Sequence, residues 1–338
     1  MTNTYAATLP RTQMPAQLRN RRILLLLLGI TALSIVPFAL EDFWVFQLTL
    51  VLASSIALLG INLLTGFNGQ ISLGHGAFFA LGAYTQAILM THFSVPYALA
   101  LPVAGAFSLA FGMLFGLPAL RLEGLYLALA TFALGVALPQ LLKYKHFEAW
   151  TGGVQGLTLS KPEAPFRLDL SPDQWLYFFT MFLAIICFLT ARSLLRSHVG
   201  RAIIAIRDQP IAAAAMGIDV ARYKTITFGV SSLYTGIAGA LTAIAVQFVA
   251  PDSFTSLLSI DLLVGIVVGG IAQLPGAIYG AVFMRFIPTL TEHLSKSATG
   301  AVYGVILIIF VYAMPYGIAG FVTRMFMRLQ QAMTRRGS

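Results

Sequence analysis

The chain has 338 residues, of which 58% are hydrophobic and only 10% are charged. Soluble domains carry roughly 25% charged residues, so this composition excludes an ordinary soluble fold and indicates a membrane protein. The formal net charge of +9 does not indicate nucleic-acid binding, because the basic residues lie between long apolar runs and not on one water-exposed face.

The apolar runs predict an all-α integral membrane protein with about ten transmembrane helices, since each crossing of the bilayer core needs about 20 apolar residues. The glycine-rich stretch 64–76 is predicted to interrupt a helix, and nothing in the sequence indicates a β-strand. The predicted spans are, in chain order, 23–40, 44–64, 71–91, 97–117, 125–142, 175–191, 225–249, 258–272, 276–291 and 301–322.

The positive charges predict the orientation of these helices. With both termini in the cytoplasm, fifteen of the 21 Lys and Arg residues fall on the inner side and five on the outer side, which leaves Arg285 inside a helix. This distribution obeys the positive-inside rule. The predicted organisation is a cytoplasmic tail over 1–22, one transmembrane domain over 23–322 with an outer loop 143–174 and an inner segment 192–224, and a cytoplasmic tail over 323–338.

A polar, glycine-rich stretch between Leu63 and Tyr84 interrupts the apolar pattern. Lipid penalises polar groups, so these side chains must face protein or a water-filled path. Two interpretations stay open: tight helix packing with internally satisfied groups, or the lining of a translocation path. The residues concerned are Asn68, Gly69, Gln70, Ser72, Gly74, His75 and Gly76.

The inner segment contains a predicted short helix. Pro210 suits its first turn, 212–216 is a run of strong helix formers, and Gly217 suits its end. Such an alanine-rich helix fits a groove on another protein, because little side-chain entropy is lost on docking. The alternative is a helix lying on lipid, but alanine anchors poorly compared with Trp, Phe or Leu.

Other functional groups are expected to be absent. None of the five lysines follows a glycine, so the chain has no Gly-x-x-x-x-Gly-Lys phosphate loop and is not expected to bind ATP or another cofactor itself. No catalytic residues and no metal ligands are predicted. The acidic residues are expected near the membrane faces, with Asp261 on the outer side. This disfavours an ion-coupled carrier without excluding it.

Several sequence blocks resemble, in the same order, LivM-type permeases of branched-chain amino acid ABC transporters. The blocks are 63–84, 117–132, 151–157, 200–208 and 215–224, and the resemblance covers roughly residues 45 to 315. It implies a bundle like that of type II ABC importer permeases, in the bacterial inner membrane. It also implies a LivH-like partner permease, two cytoplasmic ATPases (LivG-like and LivF-like) that bind ATP and Mg²⁺, and a periplasmic or lipid-anchored substrate-binding protein.

The resemblance further implies an ATPase-coupling helix. Importer permeases carry a cytoplasmic Glu-Ala-Ala-x-x-x-Gly element, and the matching positions here are Ile211, Ala212, Ala213 and Gly217. Ile211 replaces the acidic residue, and Asp208, which follows Arg207, is a candidate substitute for the missing charge.

The function implied by the resemblance is ATP-driven import of leucine, isoleucine and valine. Related permeases also serve urea, short amides or aromatic acids, so the substrate stays open. The alternative is an ion-coupled secondary transporter or channel that acts alone.

Overall fold

The computed structural model describes residues 29, 31–120, 122, 124–165, 169–294 and 299–325. The predicted tail 1–22 and most of the predicted tail 323–338 lie outside these residues. The described chain is mainly helical. Lipid offers no hydrogen-bond partners to the backbone, and a helix satisfies its own amides and carbonyls.

The structure has fourteen helices in the described residues, numbered here in chain order. They are α1 (31–39), α2 (Asp42–Ile61), α3 (His75–Thr91), α4 (Tyr97–Ala119), α5 (Leu125–Leu142), α6 (Glu148–Thr151), α7 (Pro172–Arg196), α8 (His198–Asp208), α9 (Pro210–Ala215), α10 (Val220–Val246), α11 (Ser256–Gly269), α12 (Gly276–Leu294), α13 (Thr299–Ala313) and α14 (317–325). A π-helical turn, Asn62–Phe67, continues α2, and a 3₁₀ turn, Pro251–Ser253, precedes α11.

Six stretches of the described chain are long and apolar enough to cross a membrane, whereas α3 has 17 residues and α13 has 15. The total of ten spans therefore stays a prediction. The six stretches are Asp42–Phe67, Tyr97–Pro118, Leu125–Leu142, Pro172–Arg196, Val220–Val246 and Pro251–Gly269.

Helix α10 lies at the centre of the bundle and packs against α2, α3 and α4. Small residues allow these close contacts: a Cβ on Gly82 would clash with the backbone of Gly236, and one on Gly60 would clash with the carbonyl of Ser231. Dispersion contacts between closely approaching helices stabilise membrane bundles, where water drives no apolar burial. The core around α10 therefore positions the polar break that follows α2.

Two of the sequence-based predictions about secondary structure are wrong, and one helix was not predicted. The predicted helix 301–322 is two helices, because Pro315 cannot continue a helix and Gly317 has a φ of +68°. Strands do occur: Leu157–Thr158 pairs antiparallel with Phe248–Val249, which tie the outer loop to the end of α10. The helix that was not predicted is the amphipathic helix α8, which lies in the inner segment 192–224.

Glycine pairs spaced four residues apart, which allow helices to cross closely, occur in α4, α11, α12 and α13, and the structure shows which of them lie at helix contacts. Gly112 and Gly116 of α4 face α10, and the glycines of α11 and α12 face each other. Gly300 and Gly304 in α13 have open space around them. The same small-residue spacing therefore marks helix contacts at three places in this chain and none at the fourth.

Candidate functional site

The polar stretch forms a real break between α2 and α3. The chain leaves the π-helical turn at Phe67, runs irregularly through 68–74, and resumes as α3 at His75. Gly69 adopts a φ of +74°, a conformation that glycine reaches without steric cost. The amide of Gln70 donates to the carbonyl of Leu64 at 3.1 Å, so the break is a compact turn.

His75 is fully buried and bonded at both ring nitrogens. Nδ1 lies 3.0 Å from Ser72 Oγ, and Nε2 lies 2.7 Å from Ser231 Oγ on α10. Ser231 uses its own hydrogen to donate to the carbonyl of Gly60 at 2.6 Å. Nε2 must therefore carry a proton, and a neutral ring that accepts from Ser72 completes the chain of hydrogen bonds.

Hydroxyl groups on neighbouring helices hold the backbone of the break. The amide of Leu73 donates to Thr131 Oγ1 of α5 at 2.9 Å. The amide of Gly76 donates to Ser259 Oγ of α11 at 2.9 Å. Gly74 packs so closely on the backbone of Thr131 that it has no room for a Cβ. Polar side chains thus replace the helical hydrogen bonds that the break lacks.

The predicted polar residues of the break are turned into the protein. Asn68, Gln70, Ser72 and His75 are all buried, and Gly69 is exposed. Asn68 differs from the others because its side chain is 2% exposed and neither amide atom has a hydrogen-bond partner among the described residues. In this arrangement the break is a packed polar cluster with one unused amide.

Asn62 belongs to this site, although it was not among the residues predicted from the sequence. Its Nδ2 donates to the carbonyl of Gln273 at 2.8 Å, and its Oδ1 accepts from the amide of Ala272 at 2.8 Å. Asn62 therefore clasps the loop between α11 and α12. A lone asparagine in the apolar run 44–64 was the available signal, but its partners lie about 210 residues away.

The inner segment 192–224, called the coupling segment from here on, contains two helices, α8 and α9, that lie outside the six spans. Ser197 caps α8 with its hydroxyl, and the predicted helix at Pro210 is confirmed as α9, with Gly217 in a left-handed conformation just beyond it. Ile211 and Met216 are 85% and 83% exposed, whereas Ala213 is buried against the protein. Two large apolar side chains, one in α9 and one directly after it, are therefore exposed beside a run of alanines.

Arg207 brings the coupling segment and the polar break together. Its Nη1 donates to the carbonyl of Gly66 at 3.2 Å, and a Cβ on Gly69 would lie 3.0 Å from Arg207 Cγ. Arg207 also pairs with Asp208 at 2.8 Å, so this carboxylate already has a cationic partner. A second link runs from Gln70 Nε2 to the carbonyl of Lys224 at 3.3 Å, near the start of α10.

Two charged residues, Asp261 on α11 and Arg285 on α12, are half-buried. Asp261 lies at the middle of the candidate span Pro251–Gly269, whereas the predicted span 258–272 had it three residues from one end. Its place near the outer side stays a prediction. Arg285 donates from Nε to Gln47 Oε1 of α2, and it forms no ion pair with any described carboxylate.

Comparisons with known proteins agree with this architecture. A family model described as "Branched-chain amino acid transport system / permease component" matches residues 44–311. The "High-affinity branched-chain amino acid transport system permease protein LivM" of Escherichia coli K12 is 32% identical over 271 residues, which are 73% of this chain and 63% of that protein. The chain therefore spans less than two thirds of that relative's length. No solved structure matches the chain significantly.

Two further relatives carry other names. The "Probable branched-chain amino acid transport permease protein LivH" of Methanocaldococcus jannaschii is 24% identical over 78% of this chain and 87% of that protein. The "Autoinducer 2 import system permease protein LsrC" of Enterobacter sp. strain 638 is 31% identical over 56% of this chain and 56% of that protein. The chain belongs to the permease component family of branched-chain amino acid transport systems and is a LivM-type, multi-pass membrane protein.

Proposed function

We propose that the chain is the permease subunit of an ATP-driven ABC importer that carries leucine, isoleucine and valine across the bacterial inner membrane. The observation that carries the proposal is helix α9, which lies outside the six spans and adjoins an arginine bonded to the buried break. A helix in this position can receive a force from a soluble partner. The chain itself performs no bond chemistry.

The proposed contact with the ATPase is apolar. Ile211 and Met216 project from α9 and have almost no contact with their own chain. Asp208 is engaged by Arg207, so an acidic contact in place of the absent glutamate is not the favoured interaction. Apolar anchors that enter a pocket of the partner provide most of the binding free energy in many interfaces.

The proposed assembly has further subunits. A LivH-like permease pairs with this chain, and two cytoplasmic ATPases, LivG-like and LivF-like, bind ATP and Mg²⁺ and dock below. A periplasmic or lipid-anchored binding protein delivers the substrate on the outer side, with both termini of this chain in the cytoplasm. ATP binding then shifts the balance between an outward-open and an inward-open state, for which each ligand must have different affinities.

The proposal is tested by transport in liposomes. The chain is co-expressed with its candidate partners and reconstituted with ATP enclosed, and uptake of labelled leucine is measured with and without binding protein. We expect uptake that needs both. Labelled autoinducer 2 and urea serve as alternative substrates, and their uptake without leucine uptake would replace the proposed substrate but retain the importer.

Substitutions in α9 test the docking contact. Ile211→Glu and Met216→Glu are expected to abolish co-purification of the ATPases, because a charge cannot enter an apolar pocket unpaired. Val154→Glu is the matched control, since Val154 is also apolar and exposed but lies in the predicted outer loop. Normal co-purification of ATPases with the α9 variants would contradict docking at this helix.

Asp261 favours a second candidate function, an ion-coupled transporter that acts alone. A carboxylate at the middle of a span is a common feature of proton and cation pathways. This candidate predicts uptake by the purified chain without ATP, driven by an ion gradient, and loss of that uptake in Asp261→Asn. The importer predicts no gradient-driven uptake by the chain alone, so wild-type protein distinguishes the two.

A further inference from the structure

The π-helical turn Asn62–Phe67 connects the coupling segment with the helix pair α11 and α12. We propose that this turn is the joint through which movement of α8 reaches α11 and α12, with Arg207 and Asn62 as positioning residues at its two ends. The proposal rests on ATP-driven import as proposed above. It adds the residues that transmit the movement inside this chain.

One end of the joint is the contact with α8. Arg207 donates to the carbonyl of Gly66, inside the turn, and its aliphatic stem covers Gly69, immediately after it. Both contacts come from one side chain on a helix that leads directly into α9. A displacement of α8 must therefore either move the turn or break the contact with Gly66.

The other end of the joint is the clasp formed by Asn62. Its amide bonds both a carbonyl and an amide of the loop between α11 and α12, each at 2.8 Å, and the side chain is completely buried. Because both hydrogen bonds come from one planar amide, they fix the orientation of the loop relative to Asn62 as well as its distance. Gly66 lies against this clasp, because a Cβ there would clash with Asn62 Oδ1.

The turn between these ends is suited to rearrangement. A π-helical turn contains an extra residue relative to an α-helix, and such turns are rare and often occur at functional sites. Asn68 follows the turn directly, and its buried amide has no partner among the described residues. An unpaired buried amide is unfavourable, so a second arrangement of the turn that gives it a partner gains free energy. The unused amide is therefore the group expected to become paired in the second state.

Uncoupling of ATP hydrolysis from uptake tests the joint. In the reconstituted importer, Arg207→Gln and Asn62→Leu are expected to lower leucine uptake per ATP hydrolysed about tenfold, which is within the usual range of coupling between sites. ATPase stimulation by the binding protein should remain within about twofold of wild type. Arg207→Lys keeps a donor for the Gly66 carbonyl and is expected to recover most of the uptake.

Matched controls separate coupling from stability. Arg201→Gln removes an arginine of α8 whose side-chain hydrogen bonds stay within 196–201, and Ser232→Ala removes a buried hydroxyl bonded within α10. Both should transport normally. Parallel loss of uptake and ATPase activity in Arg207→Gln would overturn the proposal. Because Arg207 is exposed, this variant provides the test even if Asn62→Leu does not assemble.

A distance measurement provides a second readout. The single native cysteine is first removed by Cys187→Ala. Spin labels are then attached to the variants His198→Cys on α8 and Ile278→Cys on α12, because both positions are exposed. ATP is expected to shift the distance in wild type and not in Arg207→Gln. An unchanged shift in the variant would also overturn the joint. Failure of the importer proposal has a different signature, namely wild-type uptake that needs no ATP.

Discussion

The two helix breaks of this protein are stabilised in different ways. The break between α2 and α3 is held by side chains, among them Asn62, Ser72, His75 and Arg207. The break between α11 and α12 is closed by direct backbone contact. The first depends mainly on side-chain hydrogen bonds, which can exchange partners, whereas at the second the flanking helices are also in direct backbone contact.

Glycines make the second break. A Cβ on Gly269 would clash with the carbonyl of Gly276, and a Cβ on Gly280 would clash with the carbonyl of Gly265. Gly317 of α14 packs on Gly270 in the same way. Small residues at such crossings let the backbones approach closely and increase dispersion contacts. We expect α11 and α12 to move as one unit.

The difference between the two breaks indicates where this permease can bend. Side-chain hydrogen bonds have discrete alternatives, and interdigitated backbones do not deform gradually. Helices α11 and α12 form a rigid pair, and Asn62 attaches this pair to a turn that can change its hydrogen-bond partners. Such an arrangement lets a movement of the turn displace both helices together. Substitutions at the glycines, the serine network and the Gln47–Arg285 contact test this difference.

Gly280→Ala is expected to lower the free energy of unfolding by about 2 kcal/mol or more, because overpacking forces the two backbones apart. Thermal unfolding in detergent measures the effect. Gly304→Ala is the control: it has the same small-residue spacing but open space around it, so alanine should be neutral or stabilising by up to about 1 kcal/mol. Equal behaviour of the two variants would contradict a sealed α11–α12 pair.

Ser231→Ala is expected to lower the free energy of unfolding by about 1–2 kcal/mol, because it leaves the buried His75 Nε2 without its partner and removes the hydrogen bond to the Gly60 carbonyl. The neighbouring Ser232→Ala should cost less, since that hydroxyl bonds only the Phe228 carbonyl, four residues earlier on its own helix. A larger loss in Ser232→Ala than in Ser231→Ala would show that the serine network does not hold the first break.

Gln47 and Arg285 join α2 to α12 away from both breaks. A double-mutant cycle with Gln47→Leu and Arg285→Met is expected to give a coupling of about 0.6 kcal/mol, the average for hydrogen bonds between membrane helices. The two single variants and the double variant are compared by thermal unfolding. A coupling of several kcal/mol would make this contact, and not Asn62, the main link between α2 and α12.

The sequence predicted the helices well where composition alone decides them. The limits of α5 were predicted to the residue at Leu125 and Leu142, and Gly217, the predicted stop of α9, adopts φ > 0 two residues after the helix ends at Ala215. It failed at α13 and α14, because a run of apolar residues does not show that Pro315 and Gly317 divide it.

The site was only partly predictable. The polar residues between 68 and 76 stood out because lipid penalises them, and α9 stood out because of its alanines. Asn62 was missed because one asparagine in an apolar run has no meaning until its partners are known. Whether Gly304 and Gly280 contact another helix could not be decided either, since both have the same spacing.

A bundle of apolar helices, a polar interruption and an alanine-rich helix outside the spans can all be predicted from the order of the residues. These features follow from local composition, because each helix satisfies its own backbone in lipid. The contact of Arg207 with Gly66 and the hydrogen bonds of Asn62 to the loop after α11 are known only from the folded chain, since these partners lie 141 and about 210 residues apart. Such pairings depend on how the helices pack, which the spacing of residues along the chain does not encode.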